Sequence, residues 1–81
     1  MRVRVRLFAG LREVAGADHL DVELPRGTTV HGLWQKLVSG NQKLAAYGGS
    51  VQFAVNHDFV KSETELAPDD EIAFLPPVSG G

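Results

Sequence analysis

Cysteine is missing from all 81 residues. That excludes a disulfide framework, a thiolate nucleophile and a thiolate metal site, so any sulfur chemistry here must use something other than a side-chain thiol. Long apolar runs are missing as well. Nothing approaches the roughly 20 residues of a membrane span, and residues 1–20 carry arginines where a signal segment would have an apolar core. These features predict a cytoplasmic chain with no membrane partner. Repeats and low-complexity tracts are absent. A strong charge of one sign is lacking too: the formal net charge is −2, whereas phosphate binding relies on a concentrated basic surface, which argues against nucleic acid as a direct partner. The charges are unevenly placed, with Arg2, Arg4, Arg6 and Arg12 early and Glu63, Glu65, Asp69, Asp70 and Glu71 late. In a compact fold the two ends can meet and partly cancel.

What remains is an ordinary globular composition, 43% hydrophobic and 22% charged, at a length that allows one domain and only just enough core to outweigh chain entropy. Arg2 to Phe8 alternates with a period of two, placing Val3, Val5 and Leu7 on one face and the arginines, with Phe8, on the other. Gly10 to Gly16 is bracketed by glycines and carries Leu11, Val14 and Ala15 at helical spacing, which predicts one short turn of helix. Asp18 to Leu24 alternates again and stops at Pro25-Arg26-Gly27. Thr28 or Thr29 then caps a helix whose apolar stripe is Val30, Leu33, Trp34, Leu37 and Val38. Ser39-Gly40-Asn41 ends it, and Gln42 to Tyr47 reads as a further short helical turn before the link Gly48-Gly49-Ser50.

In the second half, Val51, Phe53 and Val55 are expected on the buried side of a strand. Asn56-His57-Asp58 is a turn into a short strand around Phe59, Val60 and Lys61, and Pro68-Asp69-Asp70 is a second turn. Glu71 to Leu75 is the last strand, with Ile72 and Phe74 on one face and Ala73 and Leu75 on the other. One main helix laid across one mixed sheet of four to five strands buries every stripe, which is an α+β architecture of the β-grasp, ubiquitin-like kind. The first and last strands should lie centrally and side by side.

The body offers no catalytic constellation. His19, His31 and His57 have no metal-ligand spacing. Asp69 and Asp70 read as solvated turn residues, and Gly48-Gly49-Ser50 opens no helix and precedes no lysine, so it is not a phosphate loop. No metal and no directly bound cofactor is expected. By elimination, chemistry falls to the last six residues, Pro76-Pro77-Val78-Ser79-Gly80-Gly81. Two prolines end a sheet ladder and push the chain outward in an extended form, and two glycines supply backbone without side chains that fits a channel too narrow for any Cβ. The expected division is a domain over 1–76 and a flexible tail over 77–81. Phe8, Ala73 and Leu75 share the outward parity on neighbouring strands and are expected to form an apolar docking patch at the root of the tail.

Two stretches, Leu7-Phe-Ala-Gly-Leu-Arg-Glu-Val-Ala-Gly16 and Val55-Asn56 with Asp69 through Gly81, resemble the small, sulfur-carrier subunits of molybdopterin synthases. The resemblance covers almost the whole chain and is weakest through the helix and the Gln42 to Ser50 link; Phe74 to Gly81 is its most specific part. It implies a non-catalytic carrier. A ubiquitin-activating-like adenylyltransferase uses ATP to adenylate the carboxylate of Gly81, with Gly80 threading the terminus into place. A sulfur donor such as a cysteine desulfurase then leaves a thiocarboxylate. The tail, with Pro76, Pro77, Val78 and Ser79 as contacts, enters the large catalytic subunit, where the sulfur attacks cyclic pyranopterin monophosphate. The family implies two small and two large subunits. Where the family often has an aromatic residue, Leu75 stands here. The competing readings are the thiazole sulfur carrier of thiamine synthesis, a carrier for transfer-RNA thiolation or protein modification, and a β-grasp interaction module with an inert tail.

Overall fold

A computed structural model describes residues 1–47 and 50–76. The alternating start of the chain forms β1 (Arg2–Leu7), and the short helical segment is two turns rather than one, α1 (Ala9–Ala15). There follow β2 (His19–Glu23), α2 (Val30–Gly40), a 3-10 turn over Gln42–Tyr47, β3 (Gln52–Val55), β4 (Asp58–Phe59) and β5 (Glu71–Leu75). The five strands make one mixed sheet in the order β2-β1-β5-β3-β4. β1 and β5 run parallel and the other pairs antiparallel. This is the expected α+β grasp, with the first and last strands adjacent and β5 at the centre.

α2 begins where the sequence signals it. Thr29 is the N-cap, its hydroxyl accepting from the Gly32 amide at 3.1 Å. Two further orphan amides of the first turn, Val30 and His31, donate to the carbonyls of Thr64 and Ser62 at 2.9 and 2.8 Å, so the loop before β5 closes the helix end that its own chain cannot. The helix lays Val30, Leu33 and Trp34 against Val3, Val5 and Leu7 of β1 and Ile72 and Phe74 of β5, all buried in one cluster. Trp34 packs on Phe74 with ring centroids 5.2 Å apart, and Phe53 meets the same ring edge-on at 5.5 Å. Phe74 is therefore the hub of the core, 0% exposed.

The expected inward side of β3 is the core side, with Val51 just before the strand buried and Phe53 and Val55 packed on the core; its depth differs. Phe53 and Val55 do face the core, paired with Phe74 and Ile72, but they are only half-buried, whereas Ala54 on the opposite face is buried. β3 lies near the sheet edge, beyond the width that one helix covers, so its core-facing side chains are incompletely roofed. Ala54 sits inside a row of neighbours on the outer face, between Ala73 and Phe59.

The carboxylate turn is corrected. Asp70 is a clamp: its Oδ1 accepts from Asn56 Nδ2 at 2.9 Å and its Oδ2 from the Ala67 amide at 2.7 Å. The Asn56 side-chain oxygen accepts from the Glu71 amide at 3.0 Å, while the Asn56 amide donates to the Glu71 carbonyl at 2.8 Å. Asn56 and His57 are both left-handed, with φ of 50° and 76°, as the two central residues of a tight primed hairpin turn require. The clamp thus ties the β3–β4 hairpin to the entry of β5.

Candidate docking face

The outward face of the sheet divides into two halves, set by register. On β1 and β2 it is a charge ladder: Arg2 Nε reaches Glu23 at 2.9 Å and Arg4 Nε reaches Asp21 at 3.5 Å, while Arg6 turns to Glu71 of β5 at 3.4 Å. Only the last pair joins the early arginines to the late acids; the other two find partners on β2. The arginines and the β2 acids are well exposed and Glu71 is a third exposed, so each pair is worth about 0–1 kcal/mol, and the stripe keeps that half of the sheet solvated.

The other half is apolar. Arg6, Ala73, Ala54 and Phe59 occupy one row across β1, β5, β3 and β4. In the next row Leu75 pairs with Gln52, and Phe8, two residues beyond Arg6, lies level with Leu75. The expected trio of Phe8, Ala73 and Leu75 is therefore brought together, all half-buried. The Arg6 guanidinium lies over the Phe8 ring, 5.4 Å from its centroid, and the extended Phe8 backbone serves as the N-cap position of α1. Small alanines in the middle and larger side chains at the margins make a shallow apolar strip. Pro76, half-buried, follows Leu75 at its edge. Pro77, Val78, Ser79, Gly80 and Gly81 lie outside the described residues, as does the Gly48-Gly49 link.

Sequence reading missed the largest member of the strip. Phe59 is 71% exposed, the one large hydrophobic side chain so exposed among the described residues. It also borders an open groove of about 710 Å³ lined with Val51, Gln52, Phe53, Val60 and Lys61. The signal was available: a two-residue turn at Asn56-His57 fixes Val55 opposite Asp58 and so Ala54 opposite Phe59, on the outer face.

Titratable groups offer little for catalysis. His19, His31 and His57 are all exposed, and among the described residues no cluster of His, Cys, Asp or Glu is able to hold a metal ion. Asp18 is the one carboxyl with a resolved displacement: the hydrogen bond with His19, 2.8 Å away, holds it below its ordinary value. No helix of the described residues is long and apolar enough to cross a membrane.

A model of the ThiS family matches residues 5–81. The chain belongs to the ThiS family. Among curated relatives it is similar to the molybdopterin synthase sulfur carrier subunit of Chlamydomonas reinhardtii, 32% identical with all of both chains covered. It is 36% identical to the protein of that name from Escherichia coli (strain K12), over 98% of this chain and 99% of the other. Among solved structures it matches the small archaeal modifier protein 1 of Methanosarcina acetivorans, with a TM-score of 0.82 and 32% identity, over 99% of this chain and 96% of that one. The β-grasp fold of the described residues and the ThiS match over residues 5–81 thus agree.

Proposed function

We propose that this ThiS-family chain is the sulfur-carrier subunit of a molybdopterin synthase. The observation that carries this reading is the end-to-end likeness to relatives bearing that name, at 32% and 36% identity. The outer-face strip supports it, because a carrier must be recognised as a body while its terminus is handled elsewhere. Phe8, Ala73, Leu75 and Phe59 supply that recognition surface, with Pro76 following Leu75 at its edge.

The chemistry then follows from the terminus. A carboxylate is a poor electrophile; adenylation of Gly81 by an activating enzyme with ATP releases pyrophosphate and leaves a mixed anhydride. A sulfur nucleophile attacks that carbonyl carbon and AMP departs, leaving a thiocarboxylate. Glycine keeps the carbon unshielded. From Pro77 to Gly81 the extended reach is about 17 Å at roughly 3.4 Å per residue, enough to enter a pocket in the large synthase subunit while the folded body stays outside. There the sulfur attacks cyclic pyranopterin monophosphate, and water then cleaves the bond between that sulfur and the Gly81 carbonyl carbon, leaving the sulfur on the pterin and regenerating the carboxylate. This division of labour makes the chain a carrier and leaves catalysis to its partners.

A second reading, a protein modifier joined through Gly81 to lysines, is favoured by the likeness to the archaeal modifier protein. Intact mass after incubation with an activating enzyme, ATP and a sulfide donor separates the readings. A gain equal to exchanging one oxygen for sulfur, followed by dithiolene formation with a large synthase subunit, is expected. An unchanged mass in every condition would refute both carrier and modifier, and lysine adducts without dithiolene would leave the modifier alone.

A further inference from the structure

We propose that the free edge of β2 is a self-pairing edge, through which two copies of this chain join edge to edge into one continuous sheet with five strands from each. β2 is the last strand on its side of the sheet, with no neighbour beyond it among the described residues. Its inward hydrogen bonds fix which groups remain outside. Met1 and Leu24 bond each other reciprocally at 2.7 Å, and the Leu7 amide donates to Asp18 at 2.9 Å. Since inward and outward residues alternate along an antiparallel strand, Val22 and Leu20 also face β1, while the backbone groups of His19, Asp21 and Glu23 point out from the edge. Lys36 Nζ donates to the Glu23 carbonyl at 3.1 Å and uses one of its two lone pairs.

A second copy turned about a two-fold axis through Asp21 satisfies this edge along its full length. In the register that pairs all five residues, His19 lies opposite the second copy's Glu23, Asp21 opposite its own counterpart, and Leu20 opposite Val22. The outward backbone groups then exchange reciprocal N–H···O bonds at His19, Asp21 and Glu23. On the solvent face each Glu23, already 2.9 Å from Arg2, gains an imidazole from the other copy, and on the core face the half-buried Leu20 and Val22 cover one another. The same register sets one like-charged pair at its centre, Asp21 against Asp21, each with its own Arg4 at 3.5 Å. That opposition keeps the association weak and gives it a signature. The apolar strip on β5, β3 and β4 stays open in both copies, so self-pairing and docking do not compete.

The test uses the full chain. Sedimentation equilibrium up to millimolar protein, with amide spectra of labelled chain over the same range, is expected to show mass rising toward two chains and concentration-dependent shifts at His19, Asp21 and Glu23. D21N keeps the backbone donor and removes the central repulsion, so it should tighten the association about two- to fivefold, the scale of one cross-strand charged pair. E23K places a cation opposite each His19 and should weaken it about fivefold, both contacts being lost by symmetry. A one-chain mass throughout, shifts centred on Phe59 or Leu75 instead, or an association that D21N fails to tighten would each overturn the proposal. Thermal melts of both variants confirm folding.

Discussion

Phe59→Ala separates docking from folding most cleanly, because the two effects are predicted from the same exposure. Fully burying a phenylalanine is worth about 1.5–3 kcal/mol. With the residue 71% exposed in the free chain, less than a third of that, about 0.6 kcal/mol, is realised on folding, so for a domain this small the melting temperature should fall by about 3 °C. The remainder, about 1–2 kcal/mol, is available only when a partner covers the ring. Calorimetric titration of the carrier against a large synthase subunit should therefore show affinity weakened by about five- to thirtyfold, a conversion at about 1.4 kcal/mol per factor of ten. The sheet beneath, held by the Asn56–Asp70 clamp, should be unchanged. Unaltered affinity with a normal melt would refute the placement of Phe59 in the docking face. A melt lowered by ten degrees or more would refute the claim that the ring contributes little to the fold.

Three further changes test other parts of the same construction. Leu75→Asp puts a charge at the margin of the strip beside Phe8 and should weaken binding of both the activating enzyme and the large subunit; unchanged affinity for both, measured in parallel titrations, would remove Leu75 from the interface. Asp70→Ala deletes acceptors for Asn56 Nδ2 and the Ala67 amide and should cost about 1–2 kcal/mol, read as a melting point lower by about 5–10 °C; Asp70→Asn, which retains an oxygen, should lose less. His19→Ala removes the group that holds the Asp18 carboxyl down, so a carbon-detected titration should find Asp18 moved up toward its ordinary value. The sign follows from linkage: a depressed carboxyl favours the fold above its unfolded pKa, and that contribution fades as the pH falls through the folded value. The variant should therefore lose this small acid-side dependence.

The elements written in a single periodicity were legible from sequence. β1, the α2 stripe and β5 each place one clean apolar face, and their partners are one another, so pattern and packing agree: Val3, Val5 and Leu7 meet Ile72 and Phe74 under Trp34. Thr29 as cap was one of two named residues and was settled by geometry alone, since only tertiary packing decides which threonine ends the loop. For β3 the inward side was legible but its depth was not, because alternation reports which side faces the helix, not how far the helix extends; Phe53 and Val55 face inward and stay half-covered, while Ala54 is buried on the far side. Asp70 was misread for a related reason. Its turn is visible in Pro68-Asp69-Asp70, but its partner Asn56 lies 14 residues away, and no local pattern states that two turns touch. Phe59 was derivable by counting through Asn56-His57, yet with β4 only two residues long there is no period to read.

These unread features share a location, and that bears on how the carrier is recognised. The sheet's helix-covered half is fixed by hydrophobic burial, which one sequence stripe specifies. The β3–β4 side is fixed by a polar clamp and a tight turn, both of which act at a distance from the residues they position. Phe59 hangs on that second system: its place in the row with Ala54 and Ala73 depends on the hairpin register, which depends on left-handed Asn56 and His57, which the Asp70 clamp holds. Loosening the clamp should therefore disturb the docking strip before it disturbs the core. In Asp70→Ala, amide exchange at Asp58 and Val60, the β4-side amides that bond back to β3, should rise well ahead of exchange at Val5 and Phe74, because local opening of an edge hairpin costs less than global unfolding. If exchange at all four amides rose together, the clamp would be a support of the whole fold and the two halves of the sheet would be a single cooperative unit.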